Sequence, residues 1–305
     1  MKRYILKRIG QGFVCLLGVT IVIFFLTRIS GDPVLLMIPP EATQEDIQQM
    51  RQVLGLDKPM HIQYAKFISR AVIGDFGRSI RWKRPTLEVF MEVFPNTLQL
   101  AFAATAFALF VGIPVGVLSA VMVGRWFDNF GKVFALLGQA IPVFWMGILF
   151  ILIFSVHLRL LPTSGIGDWR NLLMPAVSLG WLFTAAMVRL SRSAMLDALD
   201  SEYIKMERIM GLPEFLVIGK YALKNSFIPI LTMGAANFVI LLNGTVVTET
   251  VFNWPGIGRL IVDSIMARDF PMVQTCVLIS SALYIFVNLF VDILYAYIDP
   301  RIRYQ

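Results

Sequence analysis

Six stretches of this chain stay apolar long enough to cross a hydrocarbon core, which is about 30 Å thick and takes roughly 20 residues of helix. They are residues 9–28, 97–123, 132–156, 174–194, 227–251 and 275–298. An even number of spans puts both termini on one side. Between the first two spans, "GDPVLLMIPPEATQEDIQQMRQVLGLDKPM" breaks regular structure at Gly31, Asp32, Pro33, Pro39 and Pro40. Thr43 then suits a helix N-cap, with Asp46 three residues on to complete a capping box. The pattern predicts a small external helical layer there. A different pattern occupies residues 195–226, where Ile204, Met206, Ile209 and Met210 recur at helical spacing before Gly211, which permits a left-handed helix end. Pro213 and Glu214 suit the start of a second short helix, with Phe215, Leu216, Ile218 and Tyr221 on its apolar face.

Composition agrees with the spans. Of 305 residues 57% are hydrophobic and 15% charged, and the mean hydropathy is +0.71; charged residues make up about a quarter of an ordinary soluble domain. The reading is an all-α polytopic membrane protein. The start "MKRYILKR" and the basic residues Lys205, Arg208, Lys220 and Lys224 place the termini and the 195–226 segment in the cytoplasm by the positive-inside rule, against the loop at 157–173, which holds only Arg159 and Arg170. The long loop after the first span is also basic, but loops of that length translocate largely regardless of charge. The run from Ile9 to Leu26 is too long for a signal-peptide core and lacks a small-x-small cleavage site, which predicts an uncleaved span. The net charge of +7 is accounted for largely by this orientation and calls for no nucleic acid.

The loop "GDFGRSIRWKRP" packs Arg78, Arg81, Lys83 and Arg84 together, as a headgroup-contacting loop or as a docking surface for an external partner. In "FNWPGIGRLIVDSIMARDFPMVQ" a short helix with Leu260, Ile261, Ile265 and Met266 is expected at the outer face, with Trp254 as an interface anchor. Glycine and proline inside the spans, including Gly112, Pro114, Gly116, Pro142, Gly147, Gly180, Gly234 and Gly244, suit closely packed helices.

Polar side chains at membrane depth are expensive and mark helix contacts or a pathway. Gln139, Asn237, Asn243, Thr248 and Glu249 are the candidate path residues, with Gln99, Thr245, Asn288 and Asp292 also in or near spans. Cys15 and Cys276 both fall in spans, where no disulfide framework is expected. There is no G-x-x-x-x-G-K-[ST] motif, and His61 and His157 are the only histidines. No metal site, bound cofactor or catalytic constellation is expected, so the chain is not read as an enzyme.

A short amphipathic helix between two spans suits either a partner's groove or the membrane surface, and the pattern leaves both open. Further residues narrow the choice. "GDP" at 31–33, "LGLDKP" at 54–59, "GDFGRS" at 74–79, Gly211-Leu212 with Pro229 eighteen residues on, "ETVFNWPGIGRL" at 249–260 and the ending "DILYAYIDPRIRY" occur in this order. The chain thereby resembles, over essentially its whole length, the permease subunits of bacterial ABC importers of the dipeptide, oligopeptide and nickel group.

That resemblance implies a type I importer permease fold of six transmembrane helices. It divides the chain into an N-terminal segment and first helix at 1–28, an external helical region at 29–96 and a five-helix core at 97–305 that includes a cytoplasmic coupling segment at 195–226. It implies that Glu202, Tyr203, Lys205, Gly211, Leu212, Pro213, Glu214, Phe215 and Leu216 couple the chain to a cytoplasmic ATPase. Glu207, Ile209 and Met210 depart from the small or basic residues usual there. The implied partners are a homologous second permease, two ATPase subunits that carry ATP and Mg, an external solute-binding protein and the bacterial inner membrane. The implied cargo is a short peptide or a peptide-like solute such as glutathione, with nickel chelates and opines as alternatives within the group. A gradient-driven transporter working through Glu249 and Asp292, and a membrane-anchored structural or receptor subunit, are the readings from other classes.

Overall fold

The computed structural model describes residues 2–29, 34 and 43–298, and these are helical, with no strand among them and a single isolated bridge between Arg78 and Pro85. "GDP", Pro39 and Pro40, and the end of "DILYAYIDPRIRY", lie outside the described residues. Five helices among the described residues are long and apolar enough to span a membrane, and a bent pair of shorter helices makes a sixth when counted as one span. The chain forms two compact units, residues 1–95 with 256–305, and residues 96–255.

In the first unit α1 (Lys2–Ile29) packs along α13 (Phe270–Ile298). Gly12 makes the approach possible, since a Cβ there would stand 2.9 Å from Cγ2 of Ile285. The Gln274 amide donates to Thr27 Oγ1 at 2.6 Å, and Arg8 pairs with Asp292 at 3.3 Å. Two short helices follow α1 as expected of the external layer. The first, α2 (Gln44–Leu54), begins at a full capping box: Thr43 Oγ1 accepts from Asp46 N, and Asp46 accepts from Thr43 N at 2.8 Å. The Thr43 hydroxyl also donates to Asp46 at 2.7 Å, and this bond, with the backbone one, holds the Asp46 carboxyl below its ordinary range. Gly55 ends α2 in the left-handed region at φ 70°. The second, α3 (Met60–Val72), rests on α1 through Tyr64 and Phe67, whose rings lie 5.4 and 5.8 Å from that of Phe24.

The basic loop is mostly engaged within the protein. Arg84 is paired with Glu92 at 2.5 Å and Glu88 at 3.6 Å, and Arg81 stacks on Trp82 while donating to Asp263 O. Ser79 Oγ and Arg81 N donate to Asp269, which is fully buried and caps α13 by accepting from Met272 N at 3.2 Å. Behind this clasp Val89 and Phe90 of α4 (Thr86–Val121) pack on Ile257 and Leu260 of α12 (Ile257–Met266) and on Met272 and Cys276 of α13. Helix α12 is the amphipathic element expected there; Leu260 is buried and Ile265 and Met266 are exposed.

In the second unit, residues 96–121 of α4 cross α7 (Trp169–Leu199) with almost no side chain between them. Gly112 and Gly116 form a G-x-x-x-G pair, and a Cβ at either would stand 2.6 Å from Met187 Cβ or Ser191 Cβ; one at Gly180 would meet Ala104 O at 2.7 Å. Replacing Gly116 by leucine is therefore expected to force the helices apart and cost at least the ~1–3 kcal/mol of a typical overpacked core, read as a lower melting temperature in detergent.

The third span is not the straight helix expected over 132–156. It is α5 (Trp126–Ala140) and α6 (Val143–Phe150), bent by 103°, with α6 running on as a π-helix over Ile151–His157. Pro142 removes a backbone donor and holds Ile141 extended at φ −90°, ψ 120°, which stops α5. The fifth span also ends early. A short α8 (Glu202–Ile209), α9 (Glu214–Leu216) and a π-turn at Val217–Ala222 lead into α10 (Leu223–Gly244), and Thr245 separates this from α11 (Val246–Val251).

Trp254 is not an interface anchor. Its ring is 1% exposed among Leu100, Ala101, Ala104, Ala176, Leu179 and Leu241, and its indole N–H donates to Asn96 O at 3.0 Å. Asn96 Nδ2 returns a bond to Pro255 O at 2.8 Å. The polar edge that would seek headgroups is satisfied inside, so the ring serves as core.

Candidate functional site

The segment that leaves α7 and returns as α10 folds as a hairpin. Ser201 opens α8, and Glu202 and Asp200 hold Lys205 at 3.0 and 3.5 Å, raising the pKa of the ammonium. Gly211 ends the helix at φ 79°, a conformation that costs a side chain with a Cβ. Its N–H bonds to Arg208 O at 3.0 Å. Pro213 then fixes the entry to α9, and Arg208 reaches across the turn to Glu214 at 2.6 Å, which raises the guanidinium pKa.

The apolar face expected over Ile204, Met206, Ile209 and Met210 divides in two. Ile204 is fully buried with Met195, Ala120, Val217 and Ala222, and half-buried Leu212 packs on the same cluster. Met206, Met210, Ile209 (85% exposed) and Phe215 (73% exposed) point away from the chain, with Tyr203 beside them and Leu216 half-buried. The hairpin is thus clamped to the second unit by one set of apolar side chains and presents another set outward. Behind it lies a crevice of about 320 Å³ whose charged lining is Asp200, Arg208 and Glu214.

The polar residues nominated for a path are not brought together on one surface. Asn237 and Thr248 are buried, and Asn237 Nδ2 and Thr248 Oγ1 have no hydrogen-bond partner among the described residues. Glu249 is fully buried and accepts from Thr97 Oγ1 at 2.7 Å. The side chain of Asn243 lies outside the described residues. Among the described candidates Gln139 is the exposed one, and Arg189 of α7 donates to its side-chain oxygen.

Charged residues overlooked in the sequence form the strongest polar cluster of the second unit. Asp128 of α5 is fully buried and accepts from Ser119 Oγ at 2.7 Å, Gly124 N at 3.0 Å, Lys132 Nζ at 2.8 Å and Arg192 Nε at 2.8 Å. This cluster fixes α4, α5 and α7 one to two turns before the hairpin. Its signal in the sequence was an arginine pair, Arg189 and Arg192, inside an otherwise apolar span.

The model for the inner membrane component of binding-protein-dependent transport systems matches residues 112–304, and the model for the N-terminal part of such membrane components matches residues 1–101. The glutathione transport system permease proteins GsiC of Salmonella typhimurium and Escherichia coli (strain K12) are each 40% identical to this chain over 306 residues, with both chains covered completely. The chain belongs to the ABC importer permease family. Solved structures agree on the fold of this permease. An inward-facing MetNI methionine ABC transporter matches with a TM-score of 0.56 at 16% identity, covering 70% of this chain and 97% of the other. An amino acid ABC transporter with histidines matches with a TM-score of 0.53 at 16% identity, covering 70% and 94%. The permease is therefore longer than the fold it shares with them.

Proposed function

We propose that this permease forms the path of an ATP-driven importer for short peptides or peptide-like solutes such as glutathione, and that the hairpin at 195–226 is its coupling segment. The observation that carries the reading is full-length similarity to glutathione permeases together with an outward apolar face on a clamped hairpin. In this reading Glu202, Tyr203, Lys205, Gly211, Leu212, Pro213, Glu214, Phe215 and Leu216 shape or contact an ATPase on the cytoplasmic side, where both termini also lie. The N-terminal segment and first helix, 1–28, and the external region, 29–96, precede the core at 97–305 in the chain.

The chain contributes no nucleotide site of its own, and ATP with Mg would act on two partner ATPases. A second, homologous permease would close the path, and an external solute-binding protein would deliver cargo at the bacterial inner membrane. ATP binding would draw the ATPases together, and the clamps at Ile204 and Arg208–Glu214 would pass that displacement to α7 and α10. Hydrolysis would reset them. Gentle affinity purification of the chain from its native membrane, followed by mass spectrometry, tests the assembly. A second permease and P-loop ATPases are expected to accompany it; recovery of the chain alone, where other ABC complexes stay intact, contradicts it.

A further inference from the structure

Arg189 lies ten residues, roughly 15 Å of helix, from the Leu199 end of α7 and further still from the Trp169 end. It is exposed on this chain, and its only described hydrogen bond goes to a neutral amide, Gln139. No carboxylate among the described residues forms an ion pair with it. One turn further on, Arg192 shows the opposite solution, neutralised by buried Asp128. Inside a span, a guanidinium with no carboxylate partner is expensive unless it faces water, a cavity, a headgroup or an anion.

The surroundings hold this charge in place. Trp181, Ala185 and Arg189 follow one another at four-residue steps along one face of α7. Gly138 meets that face so closely that a Cβ there would stand 2.5 Å from Ala185 Cβ, with Trp181 Nε1 at 3.5 Å. That contact fixes Gln139 next to Arg189, two residues before the break at Ile141 and Pro142. The indole N–H of Trp181 has no acceptor among the described residues. Donors predominate here, and a guanidinium has five N–H groups, of which an amide oxygen occupies only part. The remaining edge suits two parallel bonds to a carboxylate.

We propose that Arg189, held by Gln139, recognises a carboxylate of the solute as it passes through the permease, so that the path itself selects for a free acid. This rests on the transport reading above. Gln139 acts as a positioning residue.

The test uses the intact complex with its ATPases and binding protein in proteoliposomes. Dialanine is offered as the free acid and the C-terminal amide, and glutathione as the free acid and with both of its carboxyl groups amidated, and whichever peptide the wild-type complex takes up is followed. Comparing the acid-to-amide ratio between wild type and Arg189→Gln cancels the binding protein's own preference. The ratio is expected to fall by roughly 10- to 100-fold, the worth of a charge-assisted hydrogen bond. Arg189→Lys should retain part of it, and Gln139→Leu should raise KM for the acid with kcat kept. An unchanged ratio overturns the proposal. Equal loss of both forms does so too, because a guanidinium that anchors a lipid phosphate or a partner subunit's carboxylate affects acid and amide alike. Failure of the wild-type complex to take up either form with ATP overturns the transport reading itself, and the proposal with it.

Discussion

Replacing Arg192 by alanine is expected to destabilise the permease by about 1.5–3 kcal/mol, the worth of charge-assisted hydrogen bonds to a buried carboxylate that keeps its other partners. The Asp128 carboxylate has no exposed surface, and Arg192 supplies two of its hydrogen bonds, at 2.8 and 3.2 Å. Without it, only Lys132, Ser119 and the Gly124 amide remain to satisfy the charge. Lys132→Ala should cost far less, because that ammonium is half exposed and solvated ion pairs contribute only about 0–1 kcal/mol. The double variant Asp128→Leu with Arg192→Leu should recover much of the loss, since apolar replacement of a whole buried pair is often neutral or stabilising. Melting of the purified variants in detergent checks all three. An Arg192→Ala protein as stable as wild type would show that the cluster is more hydrated than its burial implies.

The second large effect is at the hairpin. Phe215→Asp is expected to weaken association with the ATPase by at least about 2 kcal/mol, or roughly 30-fold, as for other aromatic anchors of interfaces. Its side chain makes little contact within this chain, so folding should be unaffected, whereas Ile204→Asp would unpack the clamp and lower stability as well. Co-purification of the ATPase with each variant, alongside its melting temperature, separates docking from folding. Undiminished co-purification of Phe215→Asp would remove the hairpin's outward face from the interface.

What the sequence made legible was mostly local. The capping box of Thr43 and Asp46 spans three residues, and the left-handed turn at Gly211 is set by one. Hydropathy located the spans because it averages over the whole length of a helix. The same averaging concealed the bend at Pro142, which lies inside one long apolar run. Contacts between distant residues were illegible. Trp254 is buried because its indole meets Asn96, 158 positions away, and Arg192 is neutralised by Asp128, 64 positions away. Asp292 looked like a candidate for gradient coupling, yet it is paired with Arg8 at the other end of the chain. Glu249, the other candidate, accepts a bond from Thr97. The candidate site divides the same way: the hairpin was legible as a pattern, whereas Arg189 gains its meaning from Gln139 on another helix.

The central claim is that work done by this permease is powered on other chains by ATP. The most direct measurement is uptake of radiolabelled glutathione or dialanine into proteoliposomes that hold the whole complex, with ATP supplied to the ATPases and ion gradients collapsed by ionophores. The account predicts accumulation that requires ATP and survives the ionophores. Accumulation that persists without ATP and vanishes when the gradients collapse would contradict it.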